Sequence, residues 1–206
     1  MKLAIIIPTF DNLKSLKKLL NDIDKYIPYT YVYIVEDGQR KDTIKWLKKT
    51  KYNIIYHEKN EGISKSWNDG IRKALDNGCN YFAVLNDNIG FDHDWWKDCP
   101  NDKDLIYLTN SSPIEFTGWF FILNRKCLQI VGYFDEALTI FGSDFDFWVR
   151  FKRSGLKCSK IDLHIEHGGS ETIKKMTMDW YKKVWNENWN ILRSKYPNLR
   201  MQSQLK

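Results

Sequence analysis

Three polar side chains, Asn86-Asp87-Asn88, follow five residues suited to a buried strand, Tyr81-Phe-Ala-Val-Leu85. In an open α/β sheet, ligands bind beyond the carboxyl ends of the strands, so this triplet stands where a site would be. A carboxylate there can hold a hard divalent cation, because Mg²⁺ and Mn²⁺ prefer oxygen ligands and share them with substrate phosphates. Taken alone, the triplet is more often an ordinary Asn/Asp turn. Other chain segments carry polar groups at comparable places: Pro8-Thr9-Phe10, Glu36-Asp37-Gly38 and the Asn60-Glu61-Gly62 turn. A further run, Phe141-Gly-Ser-Asp-Phe-Asp-Phe-Trp-Val-Arg150, places Asp144 and Asp146 near a helix start.

The elements that would position these groups follow from apolar spacing. Leu3–Ile7 is an unbroken β-branched run stopped by Pro8, and Leu13, Leu16, Leu20 and Ile23 then recur at helical spacing after a cap at Asp11 or Asn12. Strands are expected at 31–35 and 53–57, with a short helix at 43–49 between them. Ile63, Trp67, Ile71 and Leu75 predict a helix over 62–77, closed by Gly78. Such alternation implies a mostly parallel sheet with right-handed crossovers. The second half predicts strands at 104–109, 115–123 and 160–165, and helices at 125–131, 143–154 and 172–195. The last carries an aromatic stripe, Trp180, Trp185 and Trp189, of the kind that usually packs in a core.

A chain of 206 residues suffices for one core, and no apolar run approaches the ~20 residues of a membrane span. The four cysteines (Cys79, Cys99, Cys127, Cys158) form no close pair of the zinc or redox type. They read as reduced thiols of a cytoplasmic protein. From Glu171 onward eight basic residues face three acids, giving +5 of the net +6. That tail could touch an anionic membrane surface, although a solvated helix face is commoner. No nucleic-acid partner is expected.

The order and spacing of six pieces resemble the family 2 glycosyltransferases with the GT-A fold. They are Ile-Ile-Ile-Pro-Thr-Phe at 5–10, Val-Glu-Asp-Gly at 35–38, Asn60-Glu-Gly-Ile-Ser-Lys-Ser-Trp-Asn68, Leu85-Asn-Asp-Asn88, Gly118-Trp119, and Gly132-Tyr-Phe-Asp-Glu136. The resemblance implies one α/β domain over 1–206, a Rossmann-like, mixed but mostly parallel sheet with flanking helices. Residues 1–90 would bind nucleotide, 91–170 the acceptor, and 171–206 would form a basic amphipathic helix and tail. It also implies inverting transfer from a nucleoside-diphosphate sugar to a hydroxyl of a glycan, lipid-linked or protein acceptor, with Mn²⁺ or Mg²⁺.

Under that resemblance Pro8, Thr9 and Phe10 cradle the base and ribose. Glu36 and Asp37 accept hydrogen bonds from them, and Lys65, Asn68 and Asn86 complete the nucleotide-sugar site. The family's D-x-D metal motif falls on the central stretch as 86–88 or 85–87. Either register leaves Asp87 as its only carboxylate ligand. His167 stands where a further metal or diphosphate ligand is expected, with His164 competing. Asp144 is the expected base, with Asp146 second. Trp119, Phe120 and Trp148 could stack on a sugar ring, or pack in the core.

Two other functions share parts of this pattern. A sugar-nucleotidyltransferase would need a Gly-rich loop after the first strand, and residues 8–12 contain no glycine. A non-catalytic nucleotide- or sugar-binding module is suggested by the amides flanking Asp87, while the presence of Asp144 argues for an enzyme.

Overall fold

The computed structural model describes residues 2–100, 102–108, 116–169, 174 and 176–197. The first half alternates as expected: β1 (Leu3–Thr9), α1 (Leu13–Tyr26), β2 (Tyr31–Glu36), α2 (Lys41–Leu47), β3 (Asn53–Tyr56), α3 (Ile63–Asp76) and β4 (Tyr81–Leu85). It continues through β5 (Ile89–Phe91), a 3-10 turn at Trp95–Asp98, β6 (Leu105–Leu108), β7 (Phe120–Asn124), α4 (Arg125–Val131), α5 (Ser143–Arg153), β8 (Cys158–Ile161) and β9 (Ile165–His167). A last helix, α6, spans Met178–Lys195.

Seven strands form one sheet in the order β3-β2-β1-β4-β7-β6-β8, while β5 and β9 form a separate two-stranded ribbon. Pairing is parallel from β3 through β4 and between β6 and β8, and antiparallel wherever β7 takes part. The strand sequences do not alternate because both sheet faces are covered. Leu3, Ile5 and Ile7 of β1 join α1 on one face, and Ala4 and Ile6 join α3, α4 and α5 on the other. Leu16, Leu19, Leu20 and Ile23 of α1 are all buried, which is the helical stripe that the spacing predicts.

Several expectations need correction. The first strand does not stop at Pro8 but runs on to Thr9, with Pro8 opposite Val35 and Thr9 opposite Glu36. Pairing to β4 already ends at Ile6 and Val84, so a residue lacking N–H disrupts no ladder on that side. The expected strand over 160–165 is two strands, β8 and β9, broken at 162–164, where the chain leaves the sheet to pair with β5. Residues 116–119 are not strand, and α6 starts at Met178, where Thr177 Oγ1 accepts from the Trp180 amide at 3.2 Å. The expected helix residues 172, 173 and 175, the expected strand residues 109 and 115, and the basic tail beyond 197 lie outside the described residues. No described helix is long and apolar enough to cross a membrane.

Candidate active site

A cavity of about 310 Å³ opens at the carboxyl ends of β1, β2 and β4. Its wall includes Pro8, Thr9, Phe10, Asp37, Asn86, Asp87, Asp144 and His167, so eight of the expected site residues meet there. Asp87, at the end of β4, is buried and fixed from β1 and α1: Thr9 Oγ1 donates to Oδ2 at 2.7 Å and Asn12 Nδ2 donates to Oδ1 at 3.0 Å. Asn12 therefore occupies the cap position of α1 without capping it, because its side chain is turned to Asp87. Asp11 does not cap either; its Oδ1 accepts from the Arg40 amide at 2.8 Å.

The β5–β9 ribbon carries His167 to the triplet, with Ile89 opposite His167. Asn86 Nδ2 lies 3.5 Å from His167 Nε2, and the imidazole stacks on Trp119 at 4.6 Å and 7°. His164 is exposed, lies 3.6 Å from Asp92, and does not line the cavity. Placement thus favours His167 over His164.

Among the described residues no group of three His, Cys, Asp or Glu could by itself hold a metal ion. The cavity nevertheless offers the Asp87 carboxylate, the His167 imidazole and Asn88 Oδ1, a buried oxygen with no hydrogen-bond partner. That set suits a Mg²⁺- or Mn²⁺-type ion whose remaining ligands are substrate phosphates and water.

Asp144 sits in the first turn of α5, half-buried on the cavity wall. Its Oδ1 accepts from the Phe145 amide at 2.9 Å and its Oδ2 from the Gly118 amide at 3.1 Å. Burial pushes this carboxyl above its usual range, and the two amides oppose the shift. Asp146, two residues on, is fully buried and away from the cavity. It accepts from Arg150 Nε at 2.9 Å and from Tyr196 Oη at 2.8 Å, and it also contacts Lys195. It is a structural hub and is corrected from second-ranked base to that role.

Three expected nucleotide ligands lie off the cavity. Asn68 is buried in α3 and pins the 134–136 segment: Nδ2 donates to Phe134 O and Glu136 Oε1, both at 2.9 Å, and Oδ1 accepts from the Phe134 amide at 3.0 Å. Lys65 pairs with Asp69 at 2.9 Å, one turn along the same helix. Both stand in the first turns of α3, where the 100° step per residue turns their side chains away from the cavity. Glu36 is fully buried behind the cavity, and its Oε1 accepts from the Gly38 amide at 2.7 Å.

Glu36 Oε2 has no partner. Burial raises this carboxyl to about 7; the amides of Gly38 and Asp11 oppose the rise, and the carboxylates of Asp11 and Asp87 add to it. A raised folded pKa favours the protonated form, so this contribution is fully present below the unfolded value of 4.5 and is lost as pH rises toward about 7. Glu36→Gln, which mimics the neutral acid, should therefore leave the melting temperature unchanged at pH 4.5. At pH 8 it should stabilise by up to about 3 kcal/mol. Melting curves that differ equally at both pH values would refute this account.

Asp37 edges the cavity, but its oxygens hold the neighbouring turn. They accept from the amides of Glu61 at 2.8 Å and Gly62 at 2.9 Å and contact His57 Nδ1 at 2.7 Å. The other ring nitrogen of His57 meets Asp69 at 3.1 Å. Sequence reading missed His57, whose partners lie on other elements. The turn it braces leads into Gly62, at φ 90°, where an added Cβ would come within 2.6 Å of Thr139 O.

The aromatic candidates separate clearly. Trp119 lines the cavity, whereas Phe120 is core and Trp148 stacks between Phe116 and Phe151. Trp180 of α6 and the preceding Met176 also line the cavity, so part of the expected core stripe faces the site instead. Tyr181, Trp185 and Phe141 pack on one another.

Residues 4–100 match the model of glycosyl transferase family 2. No curated protein matches the chain in sequence. Among solved structures, a Staphylococcus aureus TarS fragment in complex with UDP-GlcNAc superposes with a TM-score of 0.67 at 16% identity, covering 98% of this chain and 68% of that one. The mannosyltransferase PcManGT from Pyrobaculum calidifontis, in complex with GDP-Man and Mn²⁺, gives 0.64 at 12% identity, over 78% and 55% of the two chains. GalNAc-T7 with UDP, GalNAc and Mn²⁺ gives 0.64 at 13% identity, over 96% and 50%. The chain spans about half the length of the last two. It has the GT-A fold of these structures, and the similarity to glycosyl transferase family 2 extends over residues 4–100.

Proposed function

We propose that the chain is an inverting glycosyltransferase that moves a sugar from a nucleoside-diphosphate donor to a hydroxyl acceptor. The observation that carries this reading is Asp144: a carboxylate with a raised pKa on the wall of the cavity that also holds Asp87 and the β1 end. A base with raised pKa suits proton removal from a hydroxyl near neutral pH. In the proposed reaction the acceptor oxygen attacks the anomeric carbon from the face opposite the diphosphate, and Asp144 takes its proton. The Gly118 amide holds the carboxylate toward the cavity. Asp87, His167 and Asn88 would hold Mn²⁺ or Mg²⁺, which when bound neutralises charge on the departing diphosphate. The Mn²⁺-bearing complexes of two structural neighbours support the use of a divalent metal by this fold.

Pro8, Thr9 and Phe10 form the donor side of the cavity; Trp119, Ile140 and Trp180 offer apolar surface on the acceptor side. The acceptor, whether glycan, lipid-linked or protein, is set by that second wall. We assign 1–90 to the donor and 91–170 to the acceptor within a single domain. All four cysteines are free thiols, which supports a reducing, cytoplasmic compartment.

A thermal-shift screen of nucleoside diphosphates with and without Mn²⁺, followed by donor turnover, tests the proposal. Asp87→Ala should abolish the Mn²⁺-dependent strengthening of nucleoside-diphosphate binding measured by calorimetry. The same Mn²⁺ dependence in the mutant would remove Asp87 from the metal site. Donor binding without any turnover would favour the non-catalytic reading.

A further inference from the structure

Successive turns on one face of α6 grip the segment that leads into Asp144. Asn188, 2% exposed, is a polar residue in a register otherwise held by Val184 and Leu192. Its Oδ1 accepts from the amides of Ile140 at 3.1 Å and Phe141 at 2.9 Å, and its Nδ2 lies 3.4 Å from Thr139 Oγ1. Two backbone donors on one atom identify that atom as the amide oxygen. One turn later Leu192 closes on Gly142, whose φ is 79° and where a Cβ would come within 2.3 Å of the leucine. Lys195 and Tyr196 then contact Asp146. On its other side the same segment is tied to the donor turn: Ile63 N donates to Thr139 O at 2.7 Å, and Ser64 Oγ contacts Ser143 Oγ at 2.5 Å and donates to Leu138 O at 2.6 Å.

We infer that Asn188 is a positioning residue: by holding the amides of Ile140 and Phe141 it sets where Asp144 and the Ile140 wall face the cavity. This rests on the reading of Asp144 as base. The segment 139–141 is irregular backbone, and without Asn188 two of its N–H groups lose their partner. A buried amide left unpaired draws in water or shifts the chain. A displacement of about 1 Å at a reacting group can cost up to about 10²-fold in rate.

The test measures nucleoside-diphosphate release from UDP-GlcNAc or GDP-mannose, whichever diphosphate gives the larger thermal shift, alongside binding of that diphosphate. Asn188→Ala should lower kcat by up to about 10²-fold and leave diphosphate affinity within about twofold. Asn188→Asp, which keeps the accepting oxygen, should recover most of the rate. Val184→Ala, a buried truncation on the same helix, reports general loosening: it should lower the melting temperature without the fall in kcat. If Asn188→Ala does not fold, Asn188→Ser, too short to reach both amides, is held to the same outcomes. Wild-type kcat in a folded Asn188→Ala, no recovery in Asn188→Asp, or an equal kcat loss in Val184→Ala would each overturn the inference. Full activity of Asp144→Asn would instead overturn the base assignment, so the two failures are distinguishable.

Discussion

Asp144→Asn should lose about 10²–10⁴-fold in kcat while binding nucleoside diphosphate as the wild type does. A general base acts mainly in the transition state, so its loss appears in kcat rather than in donor affinity. Asparagine keeps the size of the side chain but an oxygen for only one of the Phe145 and Gly118 amides, which the carboxylate accepts on separate oxygens, so the melting temperature is measured alongside the rate. The pH dependence should change too. In the wild type, kcat should rise as Asp144 ionises, with an apparent pKa above the ordinary carboxylate range because burial raises it. That limb should be missing in the mutant. Asp146→Asn is not a silent control: Asp146 is a buried partner of Arg150, Lys195 and Tyr196, so its loss should lower the melting temperature. Activity per folded molecule must therefore be compared below the midpoint of the weaker variant. Wild-type kcat in Asp144→Asn would exclude it as base.

Asp37→Ala should be the most destabilising single change within residues 1–90. Three donors converge on this side chain, two of them backbone amides that hold the 60–62 turn, and the Asp37 and His57 side chains are only 9% and 6% exposed. Its hydrogen bond is also the largest cause of the raised His57 pKa, with burial opposing and Asp69 adding to it. Breaking a buried ion pair by removing one partner costs roughly 3–5 kcal/mol. For a chain of this size that corresponds to a fall in melting temperature of about 10 °C. His57→Ala should cost less, because both amide bonds to Asp37 survive. The double mutant should cost less than the sum of the two singles, since they remove a shared contact. Calorimetry on the three variants at pH 6, where His57 is charged, checks this. A fall under about 2 °C in Asp37→Ala would show that the turn is held by something else.

Much of the first half was legible because its signals are local. The stripe of α1 and the four-residue spacing of Ile63, Trp67, Ile71 and Leu75 state their own elements, and the strand ends then place Thr9, Asp37 and Asp87 together. The errors arose where position depends on another part of the chain. β5 is only three residues, too short for any period, and β9 was fused to β8 because the break at 162–164 exists to reach β5. Asn68 and Lys65 were misplaced because a helix start does not reveal which side faces a cavity. The same ambiguity hid Trp180 and left Trp148 open between a sugar face and the core: both are tryptophans on amphipathic helices, and only packing shows that one meets the cavity and the other meets Phe116 and Phe151. Asn188 did leave a trace, an amide between Val184 and Leu192 at helical spacing, where an apolar residue would otherwise stand.

The antiparallel insertion of β7 beside β4 bears on how such a chain can be divided. The segment matching the family, residues 4–100, contains β1–β4 but not the strand that covers β4 on its outer side. Severed after residue 100, it would present Tyr81–Leu85 as a bare, uncharged edge of five residues, open to pairing with a second molecule. Soluble fragments should therefore require at least β7, and a recombination joint placed between β4 and β7 should give aggregates rather than an exchangeable unit.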